Sequence, residues 1–209
     1  MKSLAQQVWG YMESRQDGSC TREARRYGSH LVTSEYRPVT RAETAIQNIK
    51  HNLKLTMVYG TTLKNLKTEA KKVGYTKLDD TGTVSDGIAV YNPYRLILVY
   101  HPTIYVDTSD YYQVLFHEIG HIIMKDLYGE SYGWSCGLAS EFVVELASLF
   151  LCNYYRISRR PYQTADFLTY VSLDLEHYTK NVEVNRDTFE SAYEVANFVY
   201  YVLRKLGEG

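Results

Sequence analysis

The sequence predicts an α+β fold in which a small β-sheet packs on a helical core. Long apolar segments with helical spacing occupy residues 109–127, 138–155 and 185–206. Two short strand-like runs flank a turn signal at Asn92-Pro93-Tyr94. At 209 residues the chain is long enough for one domain with a sizeable core.

The elements follow in order. A short helix is expected near residues 3–15, broken by Gly18 and Ser19. Thr40-Arg-Ala-Glu43 reads as a capping box opening a helix to about Lys50, with Ile46 and Ile49 inward. Leu53, Leu55, Met57 and Tyr59 alternate with Lys54, Thr56 and Val58, the period of a strand. A helix from about 62 to 73 stops at Gly74, and Asp79-Asp80-Thr81-Gly82 is a loop. Gly87 to Tyr91 and Arg95 to Tyr100 form a hairpin. A helix over 109–127, a loop over 129–137 and a helix over 138–155 come next, and Arg159-Arg160-Pro161 ends that unit. Helices over 163–178 and 185–206 close the chain; Phe189, Tyr193, Ala196, Val199 and Leu203 form the apolar face of the last.

The 109–127 helix carries His117-Glu118-Ile119-Gly120-His121, an H-E-x-x-H pattern. Histidines at i and i+4 lie on one helix face and reach a single metal ion, and the glutamate between them reaches a water there. The pattern fixes only three positions, so its surroundings matter. Val114, Leu115, Phe116, Ile119, Ile122, Ile123, Met124 and Leu127 leave little polar surface, and a helix apolar nearly all round is buried. A buried Glu then needs a charge partner, which a metal dication supplies.

The 138–155 helix is equally apolar, yet Glu141 and Glu145 interrupt it at i and i+4. Catalytic zinc usually takes three protein ligands and keeps a fourth position open. Glu141 lies 20 residues after His121 with an acid four residues on, which resembles the gluzincin pattern of H-E-x-x-H followed by E-x-x-x-D/E. The resemblance implies Glu141 as third ligand and Glu145 as partner of a ligating histidine, although the two roles are interchangeable. The expected cofactor is one Zn2+ per chain held by His117, His121 and Glu141, with Glu118 as the catalytic base. This chemistry is that of a metallopeptidase acting on a protein or peptide substrate. His177 and the tyrosines of 91–112 are candidate donors to a developing oxyanion; His30, His51 and His101 have no ligand spacing and read as structural.

Charge is uneven. Residues 1–77 hold 14 Lys and Arg against 6 Asp and Glu, a balance of +8, and the remainder balances at −9. Arg22, Arg25, Arg26, Arg37, Arg41, Lys64, Lys67, Lys71 and Lys72 carry most of it, with Trp9, Tyr11, Tyr27 and Tyr36 interleaved. Such a segment either contacts nucleic acid or is a solvated face balancing the acidic half. Cys20, Cys136 and Cys152 form no disulfide framework, no secretory signal is evident and no run reaches membrane-span length, so a cytoplasmic location and no membrane partner are expected.

Residues 91–209 resemble the zincin-like metallopeptidase domain of ArdC-type antirestriction proteins and other polyvalent proteins of mobile elements. The resemblance is carried by Tyr91-Asn-Pro93 before a strand, Tyr111-Tyr112 leading into His117-Glu118-Ile-Gly-His121, and Glu141-Phe-Val-Val-Glu145 followed by Leu-Ala-Ser-Leu-Phe-Leu-Cys152. Phe167-Leu-Thr-Tyr170 and Ser191-Ala-Tyr-Glu-Val-Ala196 are similar to its closing helices. A looser likeness is to ImmA/IrrE metallopeptidases. The resemblance implies zinc on His117, His121 and a Glu of the second helix, with Glu118 catalytic, on a phage or plasmid protein. Two departures stand out. Ile122-Ile123-Met124 replaces the family's aromatic and threonine, and residues 1–77 do not match its single-stranded-DNA module. The expected organisation is a basic helical extension over 1–35 and a metallopeptidase domain over 36–209. A nucleic-acid-binding antirestriction or regulatory protein is the alternative.

Overall fold

The structure, a computed structural model, describes residues 38–78, 87–90, 95–105, 108–129, 140–157 and 186–209. The helices are α1 (Thr40–Leu53), α2 (Leu63–Lys72), α3 (Thr108–Tyr128), α4 (Ser140–Tyr154) and α5 (Arg186–Glu208); the strands are β1 (Thr56–Gly60), β2 (Gly87–Val90) and β3 (Leu96–Tyr100). This is a mostly helical α+β arrangement, as the sequence predicts. The expected helices over 3–15 and 163–178, the N-terminal extension 1–35, the Asp79–Gly82 loop, the Asn92-Pro93-Tyr94 turn and most of the 129–137 loop lie outside the described residues.

β3 is the middle strand of a three-stranded sheet ordered β1-β3-β2. The expected hairpin pairing is present: β2 runs antiparallel to β3, with Ile88 opposite Leu98. β1 pairs with the other edge of β3 in parallel, Val58 opposite Leu98. A strand covered on both faces reads as an unbroken apolar run, and Leu96, Ile97, Leu98 and Val99 are all fully buried. Leu96 and Leu98 meet Val58, Leu66 and Ala70 in a small core under α2, whereas Ile97 and Val99 join the main core.

In that main core α3 packs on α4, α4 on α5 and α5 on α1, and α3 also lies against β2 and β3. Phe116, Ile119, Phe142 and Leu146 are fully buried at its centre. Each such side chain contributes about 1.5–3 kcal/mol through the water-exposed area it loses. Aromatic rings run through it in sequence. Tyr111 and Tyr112 lie 5.1 Å apart, Tyr112 and Phe116 6.4 Å, and Phe116 and Tyr155 5.8 Å. Arg95 grips Asp126 through two contacts of 2.9 and 2.7 Å, tying the entry of β3 to the end of α3.

Two local expectations need correcting. Thr40 does not cap α1: the cap residue is Val39, which makes no side-chain capping bond. Instead the Val39 N–H donates to the Tyr112 hydroxyl, and that hydroxyl donates to Glu43 Oε1 at 2.6 Å. The backbone donor at the helix start is thus satisfied through a tyrosine 73 residues away, which no local pattern encodes. The strand expected from Leu53 begins only at Thr56, because α1 continues through Leu53 and turns at Lys54, whose φ is 53°. α2 behaves as expected at both ends. Thr62 Oγ1 accepts from the Asn65 N–H, and Gly74 takes φ 84° just beyond the helix. Lys64, Lys71 and Lys72 are exposed on α2, whereas Arg22, Arg25, Arg26 and Arg37 lie outside the described residues.

Candidate metal centre

α3 and α4 build the site. On α3, Gln113, His117 and His121 recur every four residues, and Glu118 lies next to His117. Helical geometry places these four side chains within roughly 140° of arc. Along this face Glu118 is buried, at 7% exposed, whereas Gln113, His117 and His121 are only partly buried; the other side of the helix, with Leu115, Phe116, Ile119 and Ile122, is fully buried. Glu145 on α4 is also 7% exposed, and Ser148 beside it is fully buried and donates to the Glu145 carbonyl. The polar stripe of α4 therefore faces the interior.

The two histidines turn toward each other. His117 Nε2 and His121 Nε2 are 2.9 Å apart, with the rings nearly perpendicular at 76°. Two imidazole nitrogens at that separation need a proton or a cation between them, since two facing lone pairs repel. On its other side, His117 Nδ1 lies 3.3 Å from Glu145 Oε1. If that nitrogen carries the proton, His117 Nε2 presents a lone pair. Glu145 Oε2 accepts from Gln113 Nε2 at 3.1 Å. The Glu145 carboxylate thus lies behind His117, remote from the space between the two Nε2 atoms.

The nitrogen pair can be tested against zinc. Two nitrogens each about 2.0–2.1 Å from one ion and 2.9 Å from each other subtend about 90° at it. A tetrahedral angle would need about 3.3 Å, a rotation of a few tenths of an ångström for either ring. The pair fits a metal ion with that small opening. Glu141 lies on α4 one turn before Glu145, and its side chain is outside the described residues. Among the described residues no group of three or more His, Cys, Asp and Glu side chains is arranged to hold a metal.

Two close approaches set the site's walls. Gly120 brings α3 so near α4 that a Cβ there would meet Val144 Cβ and Cγ1 at 3.0 Å. Gly87, first in β2, lies over the catalytic candidate: a Cβ there would meet Glu118 Cγ at 2.9 Å and Oε1 at 3.1 Å.

Other sequence candidates fall elsewhere. The Tyr112 hydroxyl is engaged with Glu43 and Val39, so it is not directed at the histidine pair. His177, Tyr91 and Tyr94 lie outside the described residues. His51 is exposed, and His101 Nδ1 accepts from the Thr103 N–H in a short 3-10 turn. Gln113 was not singled out by sequence; its only signal is its position four residues before His117. No helix among the described residues is long and apolar enough to cross a membrane. Comparison of the chain with protein-family models, curated proteins and solved structures gives no match.

Proposed function

We propose that this protein is a zinc-dependent metallopeptidase of zincin-like fold that hydrolyses a protein or peptide substrate. The observation that carries the reading is the Nε2–Nε2 pair at 2.9 Å, with a buried carboxylate next to His117 in the same helix and a second one behind His117. His117 and His121 would hold the zinc through their facing nitrogens. Glu141 is the third ligand in this reading, because Glu145 is occupied with His117 Nδ1 and Gln113. The Gly120–Val144 and His117–Glu145 contacts run in opposite chain directions, which supports Glu141 over Glu145 as the residue nearer His121.

When bound, zinc in such a site supplies Lewis acidity, polarising a peptide carbonyl and acidifying the attacking water. Glu118 takes the proton from that water and passes it to the leaving amine. Its burial beside β2 keeps bulk water from screening the charges involved. Glu145 fixes the His117 ring and its tautomer. The test is Glu118→Gln, with zinc measured by elemental analysis and turnover on unfolded casein. The variant is expected to keep one zinc per chain and lose about 10²- to 10⁴-fold in rate. Wild-type protein without stoichiometric zinc, or a variant with undiminished turnover, refutes the reading.

A further inference from the structure

We propose that Gln113 is a positioning residue: its carboxamide holds the Glu145 carboxylate in the orientation that aligns His117. The inference rests on the reading of His117 and His121 as a zinc pair. A glutamate's terminal torsion is broad, so a carboxylate held through one oxygen still swings. Here the two oxygens are divided. Oε1 lies 3.3 Å from His117 Nδ1, and Oε2 accepts from Gln113 Nε2 at 3.1 Å. Both contacts come from one stripe of α3, while the carboxylate comes from α4. The Gln113 hydrogen bond to one oxygen, with the 3.3 Å approach of His117 Nδ1 to the other at ion-pair distance, therefore restricts the carboxylate plane and the level of α4 against α3.

The residue type suits the task. An ionised carboxylate only accepts, so the amide must offer its nitrogen, and that assignment follows from chemistry. The amide is neutral, so Glu145 keeps the full negative charge that raises the basicity of His117 toward a metal. A lysine in its place would compete for that charge, and a glutamate would oppose it. Gln113 is itself only partly buried, so its substitution does not open a cavity in the core.

The experiment measures zinc affinity by competition with a chromophoric chelator, alongside the melting temperature of the zinc-free protein. The proteins compared are wild type, Gln113→Met, Gln113→Glu, Glu145→Ala and the double variant Gln113→Met with Glu145→Ala. Gln113→Met is expected to weaken zinc binding about tenfold, the lower end of what outer partners of metal ligands cost. Gln113→Glu should weaken it further. In the Glu145→Ala background, Gln113→Met should change affinity by less than about twofold, since its action runs through that carboxylate. Wild-type affinity in Gln113→Met, or an undiminished loss in the Glu145→Ala background, overturns the proposal. So does an effect confined to the melting temperature of the zinc-free protein. Wild-type protein that binds no zinc overturns the underlying reading of the site and this inference with it.

Discussion

Replacing Gly120 by alanine tests whether the approach of α3 to α4 governs the site. The new carbon would lie 3.0 Å from both Val144 Cβ and Cγ1, against an optimal carbon–carbon separation of about 3.5–4.0 Å, so the helices must part by roughly half an ångström. Two effects compete. Alanine in a helix interior is favoured over glycine by about 1 kcal/mol. Overpacking a well-filled core costs about 1–3 kcal/mol. The variant should therefore be less stable by up to about 2 kcal/mol, a fall of up to about 8 °C for a chain of this size. Val144→Ala alone should cost about 2 kcal/mol through its two lost methyl groups. Added to Gly120→Ala it should cost less than it does alone, because losing Cγ1 relieves one of the two 3.0 Å contacts while Cβ keeps the other. The parting also lengthens the 3.3 Å and 3.1 Å contacts of Glu145, so zinc affinity should drop although no ligand has changed. Denaturant unfolding and chelator competition measure the two effects. A Gly120→Ala protein about 1 kcal/mol more stable than wild type, with unaltered zinc affinity, would refute the packing argument.

Gly87→Ala pushes on Glu118 from β2, at 2.9 Å from Cγ and 3.1 Å from Oε1. It should lower kcat by about tenfold or more through misplacement of the base while leaving zinc content intact, and normal turnover would show that β2 does not hold Glu118. Burial, aided by Tyr154 and Glu208, pushes the Tyr155 hydroxyl up to about 12. Its folded value thus exceeds the unfolded value of about 10, so the neutral hydroxyl brings no pH dependence below pH ~10, and the fold loses stability as pH rises from there through about 12. Tyr155→Phe should blunt that alkaline loss. It should also raise stability near neutrality by about 1 kcal/mol, because the buried hydroxyl has no hydrogen-bond partner among the described residues. Melting curves across pH check both, and a destabilised variant contradicts the account.

Helical periodicity made most of the helical core legible. The expected spans over 109–127 and 138–155 differ from α3 and α4 by one or two residues at each end. The spacing of His117 and His121 carried their shared face, because i and i+4 have one geometry in any α-helix. The hairpin was legible from local turn chemistry, whereas the parallel pairing of β1 with β3 was not, since it spans α2 and β2 and leaves no local mark. The same reason hid the true start of α1, where a hydroxyl from α3 replaces the expected threonine cap. Gln113 escaped notice because glutamine on a helix is ordinarily a solvated residue. Its partner Glu145 lies 32 residues away, and only tertiary packing joins them.

The two buried carboxylates work against the stability of the helices that carry them. Glu118 and Glu145 are each 7% exposed, on helices whose other buried residues are mostly apolar. Apolar residues of similar volume at such positions often leave a protein as stable or more so. Local rules broken in this way concentrate at functional sites, where chemistry outweighs packing. The breaks are also ordered: Glu145 faces the outer nitrogen of His117, and the inner nitrogens of His117 and His121 meet each other at 2.9 Å. On the reading proposed above, a cation between those nitrogens would remove the repulsion of the facing lone pairs, and its double charge would offset the cost of keeping two acids out of water, where a single shared proton would offset one.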